Sequence, residues 1–127
     1  MKRYIFIAIM VCISAICQAT PPRLASEAIF NRKDIRQNGN ILVITKTEDN
    51  FFRSVTASNS KELFKAIKEA VAKDRKRASN TAEGYTNGKS YIILNIPNNN
   101  QLIKIGFWDT GGNGFHFFIQ ANAEAFR

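Results

Sequence analysis

Cysteine is scarce in this 127-residue chain: Cys12 and Cys17 are the only two, and both fall in an apolar run near its start. No cysteine follows, so the rest of the chain offers no disulfide, thiol nucleophile or cysteine metal site. Histidine is scarcer still. With His116 alone, no His pair and no H-E-x-x-H site can be assembled. Gly111, Gly112 and Gly114 are followed by no Lys-Ser or Lys-Thr and by a strand pattern rather than a helix, which excludes a phosphate loop. Acids are the minority charge, 10 against 18 lysines and arginines, for a net charge of +8. That balance is basic without being extreme.

The apolar run has the form of an export signal. Lys2 and Arg3 precede a stretch of apolar or small residues from 5 to 17, and Cys17-Gln18-Ala19 places small residues where a signal peptidase inspects the chain. The stretch is shorter than the roughly 20 residues that a membrane-spanning helix needs. The expectation is a signal peptide over residues 1–19 and a single exported α+β domain over residues 20–127, with no transmembrane segment in the mature chain. Cleavage removes Lys2 and Arg3 and so lowers the net charge by two. Lipid anchoring at Cys17 is the rival processing, disfavoured by Ile16, because lipidation sites want a small residue there. An exported domain without disulfides fits a bacterial periplasm or cell surface, and export argues against nucleic acid as a partner.

Residues 59–77, NSKELFKAIKEAVAKDRKR, are the one long segment of helical period. Leu63, Phe64, Ile67, Ala70 and Val71 recur at steps of three and four and form one apolar stripe, with Asp74 continuing the spacing. Asn59 and Glu62 have the spacing of a capping box, and the last turn is rich in cations. Burial of each large apolar side chain contributes about 1.5–3 kcal/mol, far more than an exposed ion pair, so packing should hold this helix.

On either side the period changes to two. Residues 41–45 are a β-branched run, and 51–57 put Phe51, Arg53, Val55 and Ala57 on one face and Phe52, Ser54 and Thr56 on the other. Residues 79–89 contain Glu83-Gly84-Tyr85 and Asn87-Gly88, which read as turns. Three further strands are expected at 91–96, 102–108 and 115–121, joined by links short enough to require antiparallel neighbours. Residues 24–30 suggest a short N-terminal helix. The expected fold is α+β, an antiparallel sheet of about five strands (hairpin, long helix, three-stranded meander) covered on one face by a single long helix.

The segments Phe52-Arg53-Ser54-Val55-Thr56, I-K-E-A-V-A-K-D from Ile67 to Asp74, Glu83-Gly84-Tyr85 and Gly88-Lys89-Ser90-Tyr91 together resemble an uncharacterised family of small exported bacterial proteins with a domain of unknown function. The resemblance implies a folded exported domain and carries no catalytic residue with it.

Chemically active groups are few and scattered. Asp109-Thr110-Gly111 matches the aspartic-protease triplet in form only, since that chemistry needs two carboxylates sharing a proton and the glycine-rich stretch after it is what a hairpin wants. No catalytic residue, metal ligand or cofactor is assigned. Aromatic residues concentrate late in the chain, at Phe107, Trp108, Phe115, Phe117, Phe118 and Phe126. A helix can cover only one face of a sheet, so Trp108, Phe118 and His116, with Arg53 and Tyr91, are the candidate binding residues. The reading is a non-enzymatic binding or assembly module acting through the open sheet face toward a protein partner or a second copy. The alternative is a small hydrolase or anionic-ligand protein using the basic helix face (Lys61, Lys65, Lys68) and the Asp109/His116 region.

Overall fold

The computed structural model describes residues 24–37 and 39–126; the expected signal peptide over residues 1–19 lies outside them. Leu24 leads into a one-turn helix α1 (Ala25–Ala28), which continues as two 3-10 turns, Ile29–Asn31 and Lys33–Arg36. Strands β1 (Ile41–Lys46) and β2 (Asn50–Ala57) follow, then helix α2 (Lys61–Arg75). A run of four strands closes the chain: β3 (Asn80–Thr86), β4 (Lys89–Asn98), β5 (Gln101–Gly111) and β6 (Gly114–Asn122), ending in a 3-10 turn over Ala123–Phe126.

The strands form one six-stranded sheet in the order β1-β2-β6-β5-β4-β3, every neighbouring pair antiparallel. β2 lies inside the sheet beside β6, whereas β3 is the far edge. The α2 connection therefore crosses the sheet from one side to the other, which lays its apolar stripe over the central strands. Leu63 and Ile67 meet Val55, Leu94, Ile96, Ile103, Ile105, Phe115, Phe117 and Ile119 in one cluster, each of them fully buried.

The expected five-stranded sheet under a single long helix is thus corrected on both counts. The sheet has six strands, and the helical part is two short α-helices of four and 15 residues with 3-10 turns. The missing strand is Asn80–Thr86, in the segment read as turns. Its sequence, NTAEGYT, has no apolar alternation, and all but Thr81 of its residues are exposed. What makes it a strand is backbone pairing with β4 from Asn80↔Asn95 to Thr86↔Lys89. The Asn87-Gly88 link has φ of 52° and 77°, the left-handed pair that a two-residue hairpin turn requires.

The helix is also shorter than its sequence pattern. Ser60, not Asn59, occupies the N-cap, and no side chain caps it. The Ser60 amide instead donates to the carbonyl of Asn113 in the β5–β6 turn, at 3.2 Å. A tertiary backbone contact has replaced the local capping box.

Asp74, at the end of the stripe, has a structural task. Its carboxylate is 3% exposed and accepts hydrogen bonds from the amides of Ala25 (2.9 Å) and Ser26 (2.7 Å). These are unpaired donors at the start of a helix, and a carboxylate there also meets the positive end of the backbone dipoles. Residues 24–30 are thereby tied beside α2, where Phe30 stacks on Phe117 at 5.5 Å. They add to the covered face and leave the opposite face alone.

Candidate functional site

Alternation along each strand sends Phe52, Ser54 and Thr56 of β2 to the face away from α2. Registers carry that face across the sheet: Thr56↔His116, His116↔Trp108 and Trp108↔Tyr91 form one row, and Ser54↔Phe118, Phe118↔Gly106 and Gly106↔Ile93 form the next. Four of the five residues singled out in the sequence, Tyr91, Trp108, His116 and Phe118, therefore sit side by side, each half-buried. The fifth does not. Arg53 pairs with Ile119 on the α2 side, where its guanidinium lies 4.7 Å above the Phe51 ring. One residue of shift along a strand reverses the face.

The open-face side chains support one another. Tyr91 and Trp108 have ring centroids 4.7 Å apart, His116 and Phe118 6.0 Å, and Phe52 and Phe118 6.4 Å. His116 Nδ1 shares a 2.7 Å hydrogen bond with the Thr56 hydroxyl. Burial lowers the imidazole pKa from 6.5, which keeps the ring neutral at pH 7. The charges of this face are of one sign: strand alternation places Lys89 and Lys104 on it and no described carboxylate.

At the turn end of the face a cleft of about 370 Å³ opens between Trp108 and His116, with Thr86, Asn87, Lys89 and Thr110 completing its wall. Half-buried indole and imidazole rings beside an ammonium, hydroxyls and an amide can receive a planar or apolar group that carries a negative charge. Sequence reasoning missed Thr86, Asn87, Lys89 and Thr110. Thr86 belongs to the unrecognised strand β3, and the only signal pointing there was the Asn87-Gly88 turn that carries it toward Trp108.

The Asp109/His116 pairing is not formed. Asp109 pairs with Phe115, so it points to the α2 side, and its Oδ1 accepts from the Gly111 amide at 2.9 Å. It lines a separate cavity of about 350 Å³ between α2 and the β3 edge, with Lys68, Glu83, Ser90 and Phe107. Glu83 there is held by Arg75. Among the described residues no three His, Cys, Asp or Glu side chains gather as a metal site, and no helix is long and apolar enough to cross a membrane.

No curated protein and no solved structure matches the chain. The model of a family of unknown function, DUF6108, matches residues 12–116, a span that holds β1 to β5 and reaches His116 in β6; the chain belongs to that family.

Proposed function

We propose that this protein is an exported, non-enzymatic binding or assembly module that acts through the sheet face turned away from α2. The observation that supports the reading most is the juxtaposition of Tyr91, Trp108, His116 and Phe118 beside a cleft, on a face whose charges among the described strand residues are lysines. Adjacent half-buried aromatics supply large contact area at low entropic cost, and residues of this kind dominate binding energies. A hydrolase would need His116 and a carboxylate in one site, and Asp109 lies on the other face.

Capture of a partner from the envelope fraction of the producing cell tests this reading. Replacing Trp108 and Phe118 by alanine together should weaken capture about tenfold or more, with the double variant still folded by circular dichroism. Undiminished capture by that variant, combined with loss in a Lys65→Ala/Lys68→Ala variant, would move the site to the basic helix face. Hydrolysis of a chromogenic ester that disappears in His116→Ala would replace the binding reading with an enzymatic one. Export is read separately, by mass spectrometry of the isolated chain: an N-terminus at Thr20 supports cleavage after Ala19, and a lipid on Cys17 supports anchoring.

A further inference from the structure

The two edges of the sheet differ in kind. β3 is polar, holds Glu83 against Arg75 and has Gly84 lying under the Tyr91 ring. β1, ILVITK, has neither proline nor glycine. Ile41, Val43 and Ile44 are 64, 42 and 47% exposed, apolar on both faces of the same strand. Among the described residues its backbone bonds go to β2 alone, so the outer row of amides and carbonyls is unpaired. Natural sheets blunt such an edge with charge, proline, a bulge or a cover; β1 itself carries only Lys46 as a charge, and among the described residues no strand lies along its outer side.

We propose that β1 pairs antiparallel with β1 of a second copy, joining two six-stranded sheets edge to edge. A two-fold axis perpendicular to the sheet keeps each face continuous, so directly opposed residues must belong to the same face. Centred on Val43, the pairing sets Val43 against Val43 and Ile41 against Thr45 on the open face, and Leu42 against Ile44 on the α2 side. Every central pair is aliphatic or β-branched, the combination that stabilises cross-strand neighbours. Lys46 meets Asn40, so no like charges are opposed.

The flanking charges favour the same arrangement. Lys46 ends the strand and Asp49 follows it, and antiparallel pairing centred on Val43 sets neither of them against its own copy. A parallel partner of the same sequence would align Lys46 with Lys46 and Asp49 with Asp49. The join also merges the two open faces into one surface. This inference does not depend on what the open face binds.

The test is site-specific oxidation of the full-length chain carrying Cys12→Ser and Cys17→Ser and one added cysteine. Val43→Cys faces its own copy across the axis at a spacing a disulfide can close, whereas Ile44→Cys faces Leu42; cross-linked dimer is expected about tenfold more with the first than with the second. In parallel, Val43→Lys places two ammonium groups opposite each other and should convert a concentration-dependent dimer to monomer in sedimentation, with thermal unfolding unchanged at concentrations where the wild type is itself monomeric. Equal cross-linking at positions 43 and 44, or a wild-type chain that stays monomeric as concentration rises, overturns the proposal. A dimer that survives Val43→Lys and is lost in the Trp108→Ala/Phe118→Ala variant also overturns it, and assigns self-association to the open face instead.

Discussion

The ring of Phe118 lies across the backbone of Gly106, its directly paired neighbour on β5: a Cβ at position 106 would stand 2.2 Å from Phe118 Cε2. The absent side chain is what lets the ring lie flat in the middle of the open face. Gly106→Ala should therefore displace Phe118 and destabilise the fold by about 1–3 kcal/mol, the usual cost of overpacking. Urea unfolding measures it. In a Phe118→Ala background the same alanine should cost much less, because the two residues share one space. Equal costs in both backgrounds would show that the crowding is with the backbone instead.

Asp74 joins α2 to the start of the described chain. Asp74→Ala should cost about 2–4 kcal/mol, since it strands the buried amide of Ser26 and the part-buried amide of Ala25. Asp74→Asn retains one acceptor and should cost less. Hydrogen exchange at those two amides should accelerate in the alanine variant before exchange in the strands does.

His116 makes stability depend on pH. Its pKa is lowered in the folded protein by burial, so below the ordinary value of 6.5 the unfolded chain binds more protons than the folded one. Stability is full above that value and is lost as pH falls toward the lowered one. Denaturation midpoints at pH 7.5 and 5 should differ for the wild type and differ less for His116→Gln. Asp34, whose pKa is lowered chiefly by its hydrogen bond with Arg32, acts in a separate window below 3.8. If His116→Gln leaves the dependence between pH 7.5 and 5 intact, the histidine is not its source.

Packing rather than charge should hold α2. Ile67→Ala, at a fully buried position, is expected to cost about 2–5 kcal/mol, whereas the exposed Lys68→Ala should stay within about 0.5 kcal/mol. Breaking the exposed Arg75–Glu83 pair with Glu83→Ala should cost less than about 1 kcal/mol. Calorimetric midpoints rank the three. A ranking with Glu83 first would mean that the β3 edge is held by charge.

Some elements were legible because the local sequence carries their whole signal. Phe51, Val55 and Ala57 are buried while Phe52 and Thr56 are only half-buried, as their alternation requires, although Ser54 on the open face is buried as well. Leu63, Ile67, Ala70 and Val71 repeat at helical spacing and are buried. The edge strand β3 lacked any such signal, because its residues bury almost nothing and its order comes from hydrogen bonds to β4. The candidate site was half legible. Aromatic residues on the final strands could be nominated, but Arg53 was nominated with them although it stands on the other face.

By itself the sequence determined the periodicities, the short antiparallel links, the basic balance and the family, since each of these is a property of neighbouring residues or of composition. Only the tertiary structure decided which strands distant in sequence touch, as β2 does β6. The contact of Thr56 with His116 joins residues 60 apart, and that of Ser26 with Asp74 joins residues 48 apart. No local preference encodes such pairs. They follow from the crossing of α2 from β2 to the far edge, which makes β6 the neighbour of β2 and so brings the aromatic row, and the cleft beside it, into being.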